Sequence, residues 1–163
     1  MMPIRLKKRH RLRKKEIKAI SEHFVSIFLK PCISVYETVD RADVGKFDVI
    51  LVNGEILGMV LNDMPFLTVK GLLKYHPEKL YVTVDMGAVK FVYNGADVMA
   101  PGIVDADSGI SSGDLVWIRD EKNLKPLAVG KALMDGSEMI HSNKGKAVIS
   151  IHHVGDDIWN HET

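Results

Sequence analysis

Cysteine is nearly absent, with Cys32 the one example in 163 residues. That excludes an intramolecular disulfide and a cysteine-rich zinc site. It makes a reducing, cytoplasmic setting the expectation, with Cys32 itself a small buried hydrophobe. Aromatic residues are sparse, at 7%, too few for an extended platform on which single-stranded bases stack. No apolar run approaches the ~18 residues of a membrane helix, so no membrane partner is expected. Met-Met-Pro followed by basic residues lacks the apolar core of a secretory signal. There is no internal repeat and no low-complexity stretch.

Signatures of chemistry are missing as well. Gly130-Lys131 and Gly145-Lys146 lack the rest of a phosphate-binding P-loop. No Gly-x-Ser-x-Gly elbow presents a nucleophile. The acid pairs Asp120-Glu121 and Asp156-Asp157 read as solvated turns. Asp105 opens a run like a calcium loop, but Ile110 and Val116 stand where glycine and a bidentate glutamate are needed. His152 and His153 are adjacent, so a strand sends them to opposite faces. No metal, no cofactor and no enzymatic activity are expected.

What the sequence does have is charge asymmetry. The formal net charge is +1. Yet Arg5, Lys7, Lys8, Arg9, Arg11, Arg13, Lys14 and Lys15 crowd one short stretch without an acid. The rest of the chain carries 14 basic against 21 acidic residues. Such a cluster attracts phosphate, and each neutralised phosphate releases counterions. It serves equally as a solvated arm. Leu6 and Leu12 are too few as apolar anchors for a membrane surface.

Hydrophobic spacing sets out the elements. Ile17, Ile20, Phe24, Ile27 and Phe28 predict a helix from Lys14 to Leu29, ended by Lys30-Pro31. Its N-terminal part would share an exposed face with the basic run. Strands are expected over Ile33 to Val39, Phe47 to Val52 and Glu55 to Leu61, with Asn53-Gly54 as a hairpin turn. Asn62-Asp63 begins another turn. Phe66 to Tyr75 reads as a strand end and a helix carrying Leu67, Leu72 and Leu73. The polar stretch Tyr75 to Lys79 marks a boundary, dividing the chain into residues 1–78 and 79–163. The second part opens with a strand, Leu80 to Val84, then a helix N-capped by Asp85 and closed near Gly95. Further strands are expected over Asp97 to Met99, Leu115 to Arg119, Pro126 to Met134 and Ala147 to Val154, with a helical turn over Ser137 to His141. The class is α+β, a small N-terminal α/β domain followed by a mixed barrel.

Four segments of the second part carry a resemblance: Gly95-Ala-Asp-Val-Met-Ala-Pro-Gly-Ile103, Ser112-Gly-Asp-Leu-Val-Trp117, Leu127-Ala-Val-Gly-Lys131 and His153-Val-Gly-Asp-Asp-Ile-Trp159. Together they resemble a PUA domain, a pseudo-β-barrel. Pro65 to Tyr75 and Asp85-Met-Gly-Ala-Val-Lys-Phe91 narrow the likeness. The whole chain is similar to archaeal PUA-containing proteins related to the malignant-T-cell-amplified-sequence protein and ligatin. In that family a pre-PUA domain with a basic start precedes the PUA domain.

The resemblance implies a noncatalytic protein that recognises structured RNA, transfer or ribosomal, near translation initiation or ribosome recycling. It implies the small ribosomal subunit and a translation-factor protein as partners. Lys90, Gly95, Ala96, Met99, Ala100, Pro101, Gly102, Ile103 and Lys131 become the expected RNA contacts. The eight basic residues of the N-terminal arm become auxiliary phosphate contacts. Glycine admits a close backbone approach because no Cβ intervenes. On residues alone, the same glycines serve turns, and Met99 and Ile103 fill a core. An RNA-targeting subunit of a modification enzyme and a ribosomal protein-interaction module are the alternative functions.

Overall fold

The computed structural model describes residues 3–161; the opening Met1-Met2 lies outside them. The chain forms two compact units, one reaching Pro77 and one spanning Glu78–Trp159. No helix among the described residues is long and apolar enough to cross a membrane.

The first unit is an antiparallel meander of five strands in sequence order. They are β1 (Lys7–Arg11), β2 (Val39–Asp43), β3 (Asp48–Val52), β4 (Glu55–Leu61) and β5 (Met64–Leu67). Helix α1 (Lys14–Phe28) follows β1. Its buried stripe of Ile17, Ile20, Phe24 and Phe28 matches the helical period. Phe28 meets Phe66 of β5 with ring centroids 5.3 Å apart. Two of the three hairpin turns put non-glycine residues in the left-handed region, Asn53 (φ 51°) before Gly54 (φ 90°) between β3 and β4, and Asn62 (φ 50°) before Asp63 (φ 63°) between β4 and β5. Asparagine and aspartate tolerate that conformation best among residues with a Cβ.

Helix α2 (Val69–Tyr75) begins at Thr68, whose hydroxyl accepts from the Gly71 amide. Cys32 is half-buried; burial pushes its thiol up to about 11, against the pull of Lys30.

Three expectations need correcting here. The basic arm is not an arm: Lys7 to Arg11 form the edge strand, paired antiparallel with β2. An all-polar run exposed along its length has no alternation to betray it. The strand expected from Ile33 starts only at Val39, because Ser34 to Glu37 fold into a turn. Glu37 donates its amide to the Ser34 carbonyl at 3.1 Å and accepts from the Ser34 amide at 2.9 Å. Leu67 belongs to β5, not to the following helix.

The second unit is a six-stranded, nearly closed sheet in the order β7-β11-β10-β9-β6-β8. The strands are β6 (Tyr81–Val84), β7 (Val98–Met99), β8 (Ile103–Ala106), β9 (Leu115–Asp120), β10 (Pro126–Ala132) and β11 (Lys146–His153). Helix α3 (Met86–Tyr93) lies between β6 and β7, and α4 (Gly136–His141) between β10 and β11. β6 runs parallel to β9, and the other pairs are antiparallel. Val82, Val84, Ile118, Leu127, Val148 and Met139 lie in its core. β8 was not expected. Its four residues expose Val104 and Asp105 together, which breaks the period of two.

The end of β11 is held by one carboxylate. Asp156 Oδ2 accepts from the His152 ring Nδ1 at 2.8 Å and from the His153 amide at 2.9 Å; its Oδ1 accepts from the Trp159 amide at 2.9 Å. Burial opposes the charge on Asp156, but these donors outweigh it and hold the carboxyl below its usual range. A depressed folded-state pKa stabilises above the unfolded value and loses that contribution as pH falls through the folded value. Asp156→Asn should therefore cost about 1–3 kcal/mol near neutrality and show a shallower acid loss than wild type. Thermal melts between about pH 7 and about pH 3 test this. Parallel curves would refute it.

Candidate functional site

Helix α3 and the segment after it enclose a groove in the second unit. Asp85 caps the helix, accepting from the Ala88 amide at 2.9 Å. At the other end the Gly95 amide donates to the Val92 carbonyl at 3.0 Å and the Ala96 amide to the Phe91 carbonyl at 3.0 Å. These two bonds satisfy helix-terminal carbonyls and need a left-handed residue, supplied by Gly95 at φ 83°. The chain then enters β7 and a 3-10 turn, Ala100–Gly102. The Asp85 amide donates to the Gly102 carbonyl at 2.9 Å, tying that turn back to the start of α3.

Between helix and turn lies a groove of about 520 Å³, lined by Gly87, Ala88, Phe91, Val92, Ala96, Asp97, Val98, Met99, Gly102 and Lys146. Its walls are mostly apolar. Phe91 is 56% and Met99 48% exposed, and both line this one groove, which makes them an uncovered apolar patch and not scattered side chains. The Lys90 ammonium sits 5.1 Å from the Phe91 ring centroid, placing a cation beside that wall. Lys146 Nζ lies 2.9 Å from Asp97 Oδ2. Lys146 and the Ser150 amide hold the Asp97 carboxyl below its usual range, against a smaller effect of burial. Gly102 is not in the left-handed region, and a Cβ there would meet only the Ala88 methyl, at 3.3 Å. The groove thus offers apolar faces, a backbone approach and cations at its margin, a set suited to a planar, anionic ligand.

The structure sorts the expected contacts. Ala96, Met99 and Gly102 line the groove, and Lys90 stands beside it. Gly95 shapes the turn that follows α3, and Pro101 is exposed in the 3-10 turn. Ala100 and Ile103 are 1% and 7% exposed, so their side chains belong to the core. Lys131 pairs with Leu115 and Ile149 in the sheet and does not line the groove.

The groove also takes in Gly87, Ala88, Phe91, Val92, Asp97, Val98 and Lys146, none of them among the expected contacts. Two had a readable signal. Met86, Ala88, Val89, Phe91 and Val92 give α3 more apolar residues than one face can bury, so some must face outward. Gly87 inside that helix costs stability without a packing reason. The pairing of Asp97 with Lys146 spans too much sequence to be read there.

Among the described residues no three metal-ligating side chains converge. Arg5, Lys7, Lys8, Arg9, Arg11, Arg13, Lys14 and Lys15 are all exposed in the first unit. Arg9 and Arg11 are ion-paired to Asp40.

The PUA domain family matches residues 81–154, the groove included. An uncharacterized protein of Methanocaldococcus jannaschii is 45% identical over 157 residues, covering 95% of this chain and 97% of that protein. Translation machinery-associated protein 20 of Saccharomyces cerevisiae is 35% identical over 121 residues, covering 71% of this chain and 67% of that one. The crystal structure of a hypothetical protein of Pyrococcus horikoshii has a TM-score of 0.82 and 39% identity, over 93% of this chain and 97% of that one. The chain belongs to the family of PUA-domain proteins that includes translation machinery-associated protein 20 and the malignant T-cell-amplified sequence proteins.

Proposed function

We propose that this protein is a noncatalytic binder of structured RNA, transfer or ribosomal, that works on the small ribosomal subunit in translation initiation or recycling. The observation that carries this reading is the uncovered groove of α3, where Phe91 and Met99 face a glycine turn beside Lys90. Aromatic and thioether faces receive nucleobases, the glycine turn lets a sugar-phosphate backbone come close, and the lysines meet phosphate. Lys90, Phe91, Gly95, Ala96, Met99, Pro101, Gly102 and Lys146 form the contact set. The relatives named for the translation machinery support that setting; a cytoplasmic location and a translation-factor protein as partner belong to the same proposal.

Ultraviolet cross-linking in cells, with the attached peptides and RNAs identified, tests the reading. Adducts should fall on the peptide from Met86 to Gly102, joined to transfer or ribosomal RNA. Adducts confined to other peptides, or to the substrates of a modification enzyme, would overturn it.

A further inference from the structure

The edge strand β1 holds a second device. Arg11 stands directly opposite Asp40 in the β1–β2 register, and a register shift falls between Lys7 and His10, where Lys8 has φ 54°. Arg9 and Arg11 both reach the same carboxylate. Arg9 Nε lies 2.9 Å from Asp40 Oδ2, and Arg11 Nε lies 2.5 Å from Oδ1. The Asp40 side chain is 10% exposed, whereas those of Arg9 and Arg11 are 45% and 66% exposed. Each guanidinium reaches the carboxylate through its Nε, on the side nearer the chain.

A strand staple needs one arginine per carboxylate, and an exposed pair of that kind contributes little. Here two guanidiniums share one carboxylate, leaving a charge of +1 in a stretch without any other acid from Arg5 to Lys15. Burial works against ionisation of Asp40, yet its two arginines hold the carboxyl below the usual range, so the anchor stays charged. Holding each arginine by Nε restricts the side chain beforehand and leaves its other N–H groups for a second anion. A planar guanidinium matches phosphate oxygens in a way a lysine ammonium does not.

We propose that Arg9 and Arg11, positioned by Asp40, form a preorganised fork for the phosphodiester backbone of RNA, a contact additional to the α3 groove. The proposal rests on the reading of the protein as an RNA binder. Asp40 is a positioning residue and touches no RNA. Arg5, Lys7 and Lys8 flank the fork and add unspecific attraction.

The test exploits a conflict of sign. Asp40→Asn raises the net charge by one unit, so attraction alone would tighten RNA binding. Loss of the anchor should instead weaken binding of the full chain to bulk transfer RNA by about threefold or more, because the freed arginines must be ordered on binding. The double variant Arg9→Lys with Arg11→Lys keeps every charge. It should also bind about threefold more weakly, with the salt dependence of binding unchanged. Thermal melts establish that each variant is folded, and the exposed double variant decides if Asp40→Asn is not. Tighter or equal binding by folded Asp40→Asn, or wild-type affinity of the double variant, would overturn the proposal and leave the fork to an acidic protein partner. Gly102→Leu is measured beside them. Weakening there but not in the fork variants removes the fork alone, whereas a wild-type protein that binds no RNA removes both.

Discussion

Gly71→Ala should destabilise the first unit by about 2–3 kcal/mol, although it replaces glycine by the best helix former inside a helix. Helix propensity alone predicts a gain of about 1 kcal/mol. The structure reverses the sign. A Cβ at Gly71 would lie 2.0 Å from the Leu57 carbonyl oxygen and 3.0 Å from its carbon. Both are backbone atoms of β4, and the oxygen already accepts from the Thr68 amide at 3.1 Å. No rotamer change relieves that contact; α2 or β4 must move, in a core where Leu57, Leu67 and Leu72 are fully buried. Denaturant unfolding, followed by a probe of the first unit, measures the effect. A midpoint equal to or above wild type would show that α2 can lift off the sheet without cost.

How far such features can be read from the sequence depends on their range. β4 is legible from Glu55 to Leu61, because Asn53-Gly54 fixes where the return strand starts. α1 is legible because four core positions repeat at helical spacing and Lys30-Pro31 marks its end; that Leu29 closes it in the left-handed region is visible only in the structure. The Asp85 cap and the Gly95 turn are legible because both are local backbone requirements. β1 is not, since Lys-Lys-Arg-His-Arg becomes a strand only by pairing with β2, some thirty residues later. The close seat of Gly71 on Leu57 is hidden for the same reason.

The candidate site divides along the same line. Its turn was visible in Pro101-Gly102, and its family likeness in the segment from Gly95 to Ile103. The direction of each side chain was not visible. Along β7, which pairs with β11, Val98 is buried and Met99 is exposed, whereas Ala100 in the 3-10 turn and Ile103 at the start of β8 face the core. Phe91 looks like core in the sequence and proves to be a wall of the groove.

The most direct test of the central claim is the affinity of structured RNA for Gly102→Leu. Gly102 lines the groove, has no left-handed backbone, and a Cβ there meets a single methyl at 3.3 Å. Leucine therefore asks the Ala88 methyl to give way slightly, without strain at the backbone of residue 102, and fills the space a nucleotide needs. Gly54→Leu serves as the comparison: Gly54 has φ 90° with nothing within 4 Å, so substitution there strains a hairpin of the first unit without entering the groove. Binding of bulk transfer RNA and of a ribosomal RNA fragment is measured for all three proteins, together with folded fraction. The account predicts that Gly102→Leu binds about tenfold or more weakly than wild type, a loss its folded fraction does not explain, while Gly54→Leu binds as its folded fraction dictates. Equal affinity for wild type and Gly102→Leu, with both folded, would contradict it.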